Sequence, residues 1–159
     1  MIIKEFNNID EIQKYYDEIH MSYYFNDMDL VILNFNLDVK AIIFVPNIIA
    51  RDIKAFSIMA DNYIHANDID ANAVYGYQIH AHNINAKRIH ARGDIIASNI
   101  KANLIKGWDI KATSIIADVI SYWSVCFAYY DIKCKSIVGT TKNSIHFALN
   151  GTLEVENDK

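Results

Sequence analysis

The chain is expected to fold as an all-β protein, a right-handed quadrilateral β-solenoid, and three observations lead there. An apolar residue recurs every five positions through the middle of the sequence. A small residue follows each one at a distance of two. The pair that leads into the next apolar residue is rich in Asp, Asn and Ser.

The repeat begins at Ile53/Ala55 and runs through Ile58/Ala60, Ile64/Ala66, Ile69/Ala71, Val74/Gly76, Ile79/Ala81, Ile84/Ala86, Ile89/Ala91, Ile95/Ala97, Ile100/Ala102, Ile105/Gly107, Ile110/Ala112 and Ile115/Ala117. Single-residue insertions fall near Asp61–Tyr63 and Arg92–Asp94. A period of five is neither the 3.6 of a helix nor the 2 of a flat strand, and strict self-similarity signals a repeat architecture. Two residues apart in extended chain means the same side. The Ile and its small partner therefore point inward, and the residue between them points out. Asp52, Ser57, Asp68, Asn83, Asp94, Asn99, Asp109 and Ser114 immediately precede the apolar position. Their side chains satisfy nearby backbone groups and favour turns. A short inward-facing segment, a turn and a repeat wind into a solenoid whose coils stack about 4.8 Å apart. Four sides of five residues make a coil of about twenty residues. Lys54, Tyr75 and Ile96 then stack at steps of 21, and Ile116 follows Ile96 at 20.

A solenoid must close its open strand edges. Residues 1–38 are expected to form an N-terminal helix and cap, 39–139 the repeat region, and 140–159 a C-terminal cap and tail, all within one structural domain. Ile9, Ile12, Tyr16, Ile19 and Tyr23 follow a 3-4-3-4 spacing, which predicts a helix within 9–23 with Asn8 and Glu11 as its capping pair. Residues 30–50 read as strands leading into the first coil, with Pro46 at an edge or corner. After Ile120 the register shifts and resumes through Tyr122, Phe127, Ile132/Cys134 and Ile137/Gly139. That reading buries Cys134 and turns Cys126 outward. "IHFALNGTLEVEN" reads as a final hairpin with Asn150-Gly151 at its turn.

The repeat resembles the pentapeptide-repeat proteins, which form right-handed quadrilateral β-helices. Here the small residue comes two after the large one, whereas the usual unit places it two before. "SYWSVCFAYYDIKCKSI" (121–137), following the I-x-A units, is similar to the closing motif of a group of functionally uncharacterised bacterial and phage-associated repeat proteins. The resemblance implies a fold and no catalytic residues. It also implies a phage or mobile-element inhibitor that binds a host protein, of the anti-defence, anti-CRISPR or topoisomerase-inhibitor type.

Charge and chemistry narrow the function. The chain carries a formal net charge of −4. Residues 1–52 hold nine acidic and four basic residues, while 53–137 hold seven acidic and nine basic. A repeat region of that balance lacks the acidic surface that strict DNA mimicry requires. No glutamate occurs between Glu18 and Glu154, and no phosphate-loop, dinucleotide or nucleophile-elbow motif is present. Neither an enzyme, nor a cofactor, nor a metal is expected. His65, His80 and His90 occupy outward positions and, on four sides, diverge; converging ligands are what a metal needs. No secretory signal and no apolar run of membrane-spanning length are seen, and two cysteines make no disulfide framework, so a cytoplasmic protein off the membrane is expected.

Two surfaces are candidates for binding. Tyr75, Ile96 and Ile116 would form one apolar strip on a four-sided rod, extended by Trp123, Tyr129 and Tyr130. A homodimer through that strip is the expectation, beside the host protein as partner. Lys101, Lys106 and Lys111 are weaker candidates for nucleic-acid contacts, because they fall on successive sides and ring the rod. A self-associating structural solenoid and a nucleic-acid module are the alternatives.

Overall fold

The computed structural model describes residues 1–156. Its strands are β1 (Ile3–Phe6), β2 (Tyr16–Asp17), β3 (Ser22–Tyr24), β4 (Leu30–Leu33), β5 (Leu37–Asp38), β6 (Ile42–Ala50), β7 (Asp52–Gly76), β8 (Gln78–Ala91), β9 (Ile95–Ala128), β10 (Ile132–Gly139), β11 (Ile145–Ala148) and β12 (Leu153–Val155). They wind a parallel β-solenoid of about 8 turns. Among the described residues only β2 and β3 pair antiparallel. The long strands bend at every corner, so that 25-residue β7 and 34-residue β9 each pass along several sides.

The inward register is the one the repeat predicts. Ile64, Ile79, Ile89, Ile95, Ile105, Ile110 and Ile115 are all 0 % exposed, and the small residues two after them are mostly buried as well. Full burial of an Ile side chain contributes roughly 1.5–3 kcal/mol, so the stacked interior is the main source of stability.

The number of sides differs from the expectation. Ile64 pairs with Ile79, Ile69 with Ile84 and Val74 with Ile89, a step of fifteen. Ile79 pairs with Ile95, Ile84 with Ile100 and Ile89 with Ile105, a step of sixteen. A coil is therefore three five-residue sides, a triangular prism and not a quadrilateral. Face 1 carries Ile53, Ile69, Ile84, Ile100 and Ile115. Face 2 carries Ile58, Val74, Ile89, Ile105 and Ile120. Face 3 carries Ile48, Ile64, Ile79, Ile95 and Ile110. The insertions at 61–63 and 92–94 both lie at the corner between faces 2 and 3, and Trp123–Val125 forms a third three-residue corner there. That corner alternates between two and three residues, so one edge of the prism bulges on every second turn.

The N-terminal helix is shorter than its stripe suggests. α1 spans Ile9–Ile12, with a 3-10 turn at Gln13–Tyr15. The Asn8 side chain accepts from the Glu11 N–H at 3.2 Å, and Glu11 accepts from the Asn7 N–H at 2.8 Å. The Asp17 carboxylate then takes the N–H groups of Ile19 and His20 at 2.9 and 3.2 Å, which turns the chain where a helix would continue. Met21 completes the turn at φ 49°, and Ile19 is left 88 % exposed. The aromatic rings of Phe6, Tyr15, Tyr23 and Phe25 pack together over the first coil at centroid distances of 5.2–6.3 Å, around a fully buried Ile12.

The C-terminal hairpin is replaced by more solenoid. β11 pairs parallel with Val125–Ala128, and β12 pairs parallel with Ile132–Cys134. The closing motif also shifts register differently from the expectation. Cys126, not Phe127, fills the inward slot of face 3 and is 0 % exposed. Tyr122 fills the small-residue slot of face 2, where Gly107 precedes it and Gly139 pairs beside it. Its ring crosses the interior to hydrogen-bond His146 Nδ1 through its hydroxyl at 2.7 Å. A large residue in a small slot is matched by a thiol in a large one, which conserves core volume. Burial, with a smaller contribution from Cys134, pushes the Cys126 thiol up to about 12. Burial also raises Cys134, together with Glu156.

Three outcomes are expected. Ile84→Asp, which buries a carboxylate without a partner, abolishes folding, read as loss of the β-type circular-dichroism spectrum. A Cβ at Gly139 would press on Ser144 Cβ and lie 2.9 Å from the Tyr122 hydroxyl. Gly139→Ala therefore lowers stability by about 1–3 kcal/mol in a denaturant titration, the usual range for overpacking. Native protein at pH 8 leaves both thiols unreacted towards Ellman's reagent over minutes, and denaturant exposes two.

Candidate interaction surfaces

The prism interior is filled, so its surfaces are the three faces and their corners. Outward side chains on adjacent rungs lie about 5 Å apart and form ladders along the axis. What each ladder can bind depends on how far it already satisfies itself.

Face 1 pairs with itself. Its central ladder reads Asp38, Lys54, Asp70, Asn85, Lys101, Ile116, Lys133, Glu154. Lys54 meets Asp38 at 3.2 Å, Asn85 donates to Asp70 at 3.1 Å, and Lys133 meets Glu154 at 3.3 Å. Beside it Asn103 donates to Asp118 at 2.6 Å and Lys135 meets the same carboxylate at 2.8 Å, which holds Asp118 below the usual carboxylate range. A shallow groove of about 750 Å³ runs between the two ladders over a floor of alanines that includes Ala71 and Ala86. The corner between faces 3 and 1 carries an amide ladder: Asn99 donates to Asn83 at 2.8 Å and Asn83 to Asp68 at 2.7 Å. These exposed contacts fix rung alignment more than they add stability.

Face 3 mixes chemistries: Ile32, Ile49, His65, His80, Ile96, Lys111, Phe127 and Phe147. His65 and His80 do not diverge as four sides would require. They pair on adjacent rungs, with Tyr63 OH 3.1 Å from His65 Nδ1 and its ring 5.7 Å from that of His80. Burial, aided by His65, lowers His80 below the ordinary imidazole value, against a smaller raising effect from Asp94. His90 lies on face 2 and His82 at a corner. Among the described residues no three His, Cys, Asp or Glu side chains converge.

Face 2 is the apolar one. Its central ladder begins with Tyr24 stacked on Phe44 at 4.9 Å and continues through Met59, Tyr75, His90, Lys106, Ser121 and Val138. Tyr77, Trp108 and Trp123 stand exposed along its edge, with the two tryptophans stacked at 5.6 Å. The short corners hold Tyr77 and Trp108, and Gly93 lies between them because a Cβ there would meet the Tyr77 ring at 3.3 Å and its carbonyl oxygen at 2.9 Å. Leu104 and Val119 are exposed on the opposite edge. Among the described residues, Arg88, Arg92 and Lys106 lie on the middle rungs of the face and enter no ion pair, and Asp61 is its only carboxylate. Burial first, then Lys106 and Arg92, lowers His90, with no opposing carboxylate.

The expected strip is therefore broken. Tyr75 and Trp123 come to face 2, Ile96 lies on face 3, Ile116 lies on face 1 beside Lys101 and Lys133, and Tyr129 and Tyr130 sit at the corner between faces 3 and 1. A step of fifteen or sixteen, in place of twenty, separates them. Lys101, Lys106 and Lys111 still fall on three faces, 1, 2 and 3, as a ring. Missed in sequence were Tyr77, Arg88, Arg92, Leu104 and Trp108, which share a face only once the coil has three sides.

Comparisons with protein-family models, with curated proteins and with solved structures each returned no match.

Proposed function

We propose that this protein is a non-enzymatic interaction module, a stiff rod that obstructs a host protein by docking on it through face 2. The observation that carries the reading is the composition of that face against the other two. Protein interface cores are enriched in aromatic residues, Met and Arg, and depleted in Lys, Glu and Asp. Face 2 offers Phe44, Met59, Tyr75, Tyr77, Trp108, Trp123, Arg88 and Arg92, with one Lys and one Asp. Face 1 spends most of its charges on its own neighbours, and face 3 interrupts its apolar ladder with two histidines and Lys111. A rod with a filled interior also presents its face without rearrangement, which lowers the ordering cost of binding. Obstruction of a phage or mobile element's host is the role that the pentapeptide-repeat resemblance implies for such a rod.

Position-specific photo-cross-linking in the host cell tests the reading. Benzoylphenylalanine at Tyr77 or Leu104 on face 2 should give a discrete protein adduct. The same group at Asn85 on face 1 or His65 on face 3 should give none. Equal adducts from all faces, or adducts from face 1 alone, would remove it.

A further inference from the structure

The middle of face 2 carries three permanent cations on two adjacent rungs. Arg88, His90 and Arg92 are consecutive outward residues on one rung. The next rung presents Leu104, Lys106 and Trp108, and the rung before presents Tyr75 and Tyr77. Tyr75 meets His90 edge-to-face at 6.1 Å. Arg92 reaches only a backbone oxygen, that of Asp61, at 3.4 Å. On the other two faces Lys54 pairs with Asp38, Lys111 with Asp109, Lys133 with Glu154 and Lys135 with Asp118, while Lys87 and Lys101 stand singly on the side of face 1 and enter no ion pair among the described residues. A chain of net charge −4 thus keeps a basic cluster, without an ion-pair partner among the described residues, at the centre of its most apolar face.

Resting on the docking role of face 2, we infer that its partner is a protein surface in which acidic residues accompany apolar ones, with the carboxylates meeting Arg88, Arg92 and Lys106 and the apolar groups meeting Tyr75, Tyr77, Leu104 and Trp108. Guanidinium forks take carboxylates in bidentate pairs and favour aromatic neighbours, so two arginines flanking the ladder set register as well as affinity. Like charges oppose a symmetric dimer centred on this face. The basic rungs lie midway between the Ile43 and Ile137 rungs, so a two-fold axis through the centre would set Arg88 and Arg92 against their own copies. Single-stranded nucleic acid also prefers cations beside aromatic rings. Three permanent cations are few for a phosphate track, however, and Leu104, Val119, Met59 and Val138 offer nothing to a phosphate. The apolar area favours protein.

The chain's two tryptophans both stand on the edge of this face, so tryptophan emission reports on its occupancy. The experiment titrates full-length protein, excited at 295 nm, with an acidic glutamate–tyrosine copolymer and separately with oligo(dT)20, in 150 mM salt. The expected result is a saturable change in emission with the copolymer, weakened by at least tenfold in Arg88→Ser/Arg92→Ser, and no change with oligo(dT)20. The double variant changes two exposed side chains, so its thermal melt should match wild type. An equal response of wild type and variant, or no response to the copolymer, overturns the acidic partner. Tighter binding of oligo(dT)20 overturns it in favour of nucleic acid. Growth of mass with concentration in light scattering, lost in the variant, overturns it in favour of a second copy's acidic N-terminal segment. The cross-link from Tyr77 separates the two levels of the reading. If it persists in the double variant, face 2 still docks a partner and only the charge assignment falls. If Tyr77 and Leu104 give no adduct in wild type, the docking role itself falls.

Discussion

Parallel backbone pairing between successive coils is the constraint on which everything else here depends. It places each residue directly above its counterpart one turn earlier, about 4.8 Å away. Identical slots therefore stack on themselves along the whole rod. An interior slot filled by Ile must be filled by something close to Ile on the next rung, and a triangular interior with three such columns leaves space for only small residues in the other three. The I-x-A repeat is the sequence form of that packing condition. Its one large exception has its compensation nearby: Tyr122 enters a small column, and Gly107, Gly139 and the short Cys126 side chain make the space it fills.

The same stacking shapes the outside. A ladder of like charges 5 Å apart would repel, so exposed columns must alternate signs, use amides, or remain neutral. Face 1 alternates Asp38, Lys54 and Asp70. The corner column uses Asp68, Asn83 and Asn99. Face 2 takes the third course over most of its length, with aromatic and aliphatic side chains, and departs from it at the rungs of Ile89 and Ile105 and, with Asp61, at that of Ile58. Arg88, Arg92 and Lys106 are tolerated there because they are spread over both edges and the centre of the face. They remain available because no carboxylate column runs beside them.

Much of this was legible from sequence, and the failures have one cause. The inward register of Ile53 through Ile115, the Asn8/Glu11 cap and the corner placement of the Asp and Asn positions, where the amides bond to the next rung instead of to nearby backbone, follow from local chemistry. The number of sides does not, because a five-residue period fixes the length of a side and says nothing of how many close a coil. Four sides assigned Tyr75, Ile96 and Ile116 to one strip; three sides scatter them. A signal was present. The insertions at Asp61–Tyr63 and Arg92–Asp94 are 31 residues apart, which is two turns of fifteen and sixteen and fits no whole number of turns of twenty. The helix over 9–23 failed for a different reason: the 3-4 spacing is real, but Asp17 captures the N–H groups of Ile19 and His20 and bends the chain before a second turn can form.

The ends explain why recognition falls to a face. At the N-terminus, Phe6, Tyr15, Tyr23 and Phe25 cover the interior columns with ring surface. At the other end the columns lose their chemistry step by step. Face 3 passes from Ile110 to Cys126 to His146, which is exposed, and face 1 passes from Ile132 to a partly exposed Leu153. Thr141 and Ser144 hydroxyls bind the Trp123 carbonyl at 3.2 and 2.7 Å, taking an acceptor that a further coil would have used. The last strands, four residues in β11 and three in β12, are separated by a polar corner at Asn150-Gly151-Thr152. Short, interrupted edges are poor templates for adding another chain. The long continuous surfaces are the faces, and of the three, face 2 sets two arginines and a lysine without carboxylate partners among aromatic side chains.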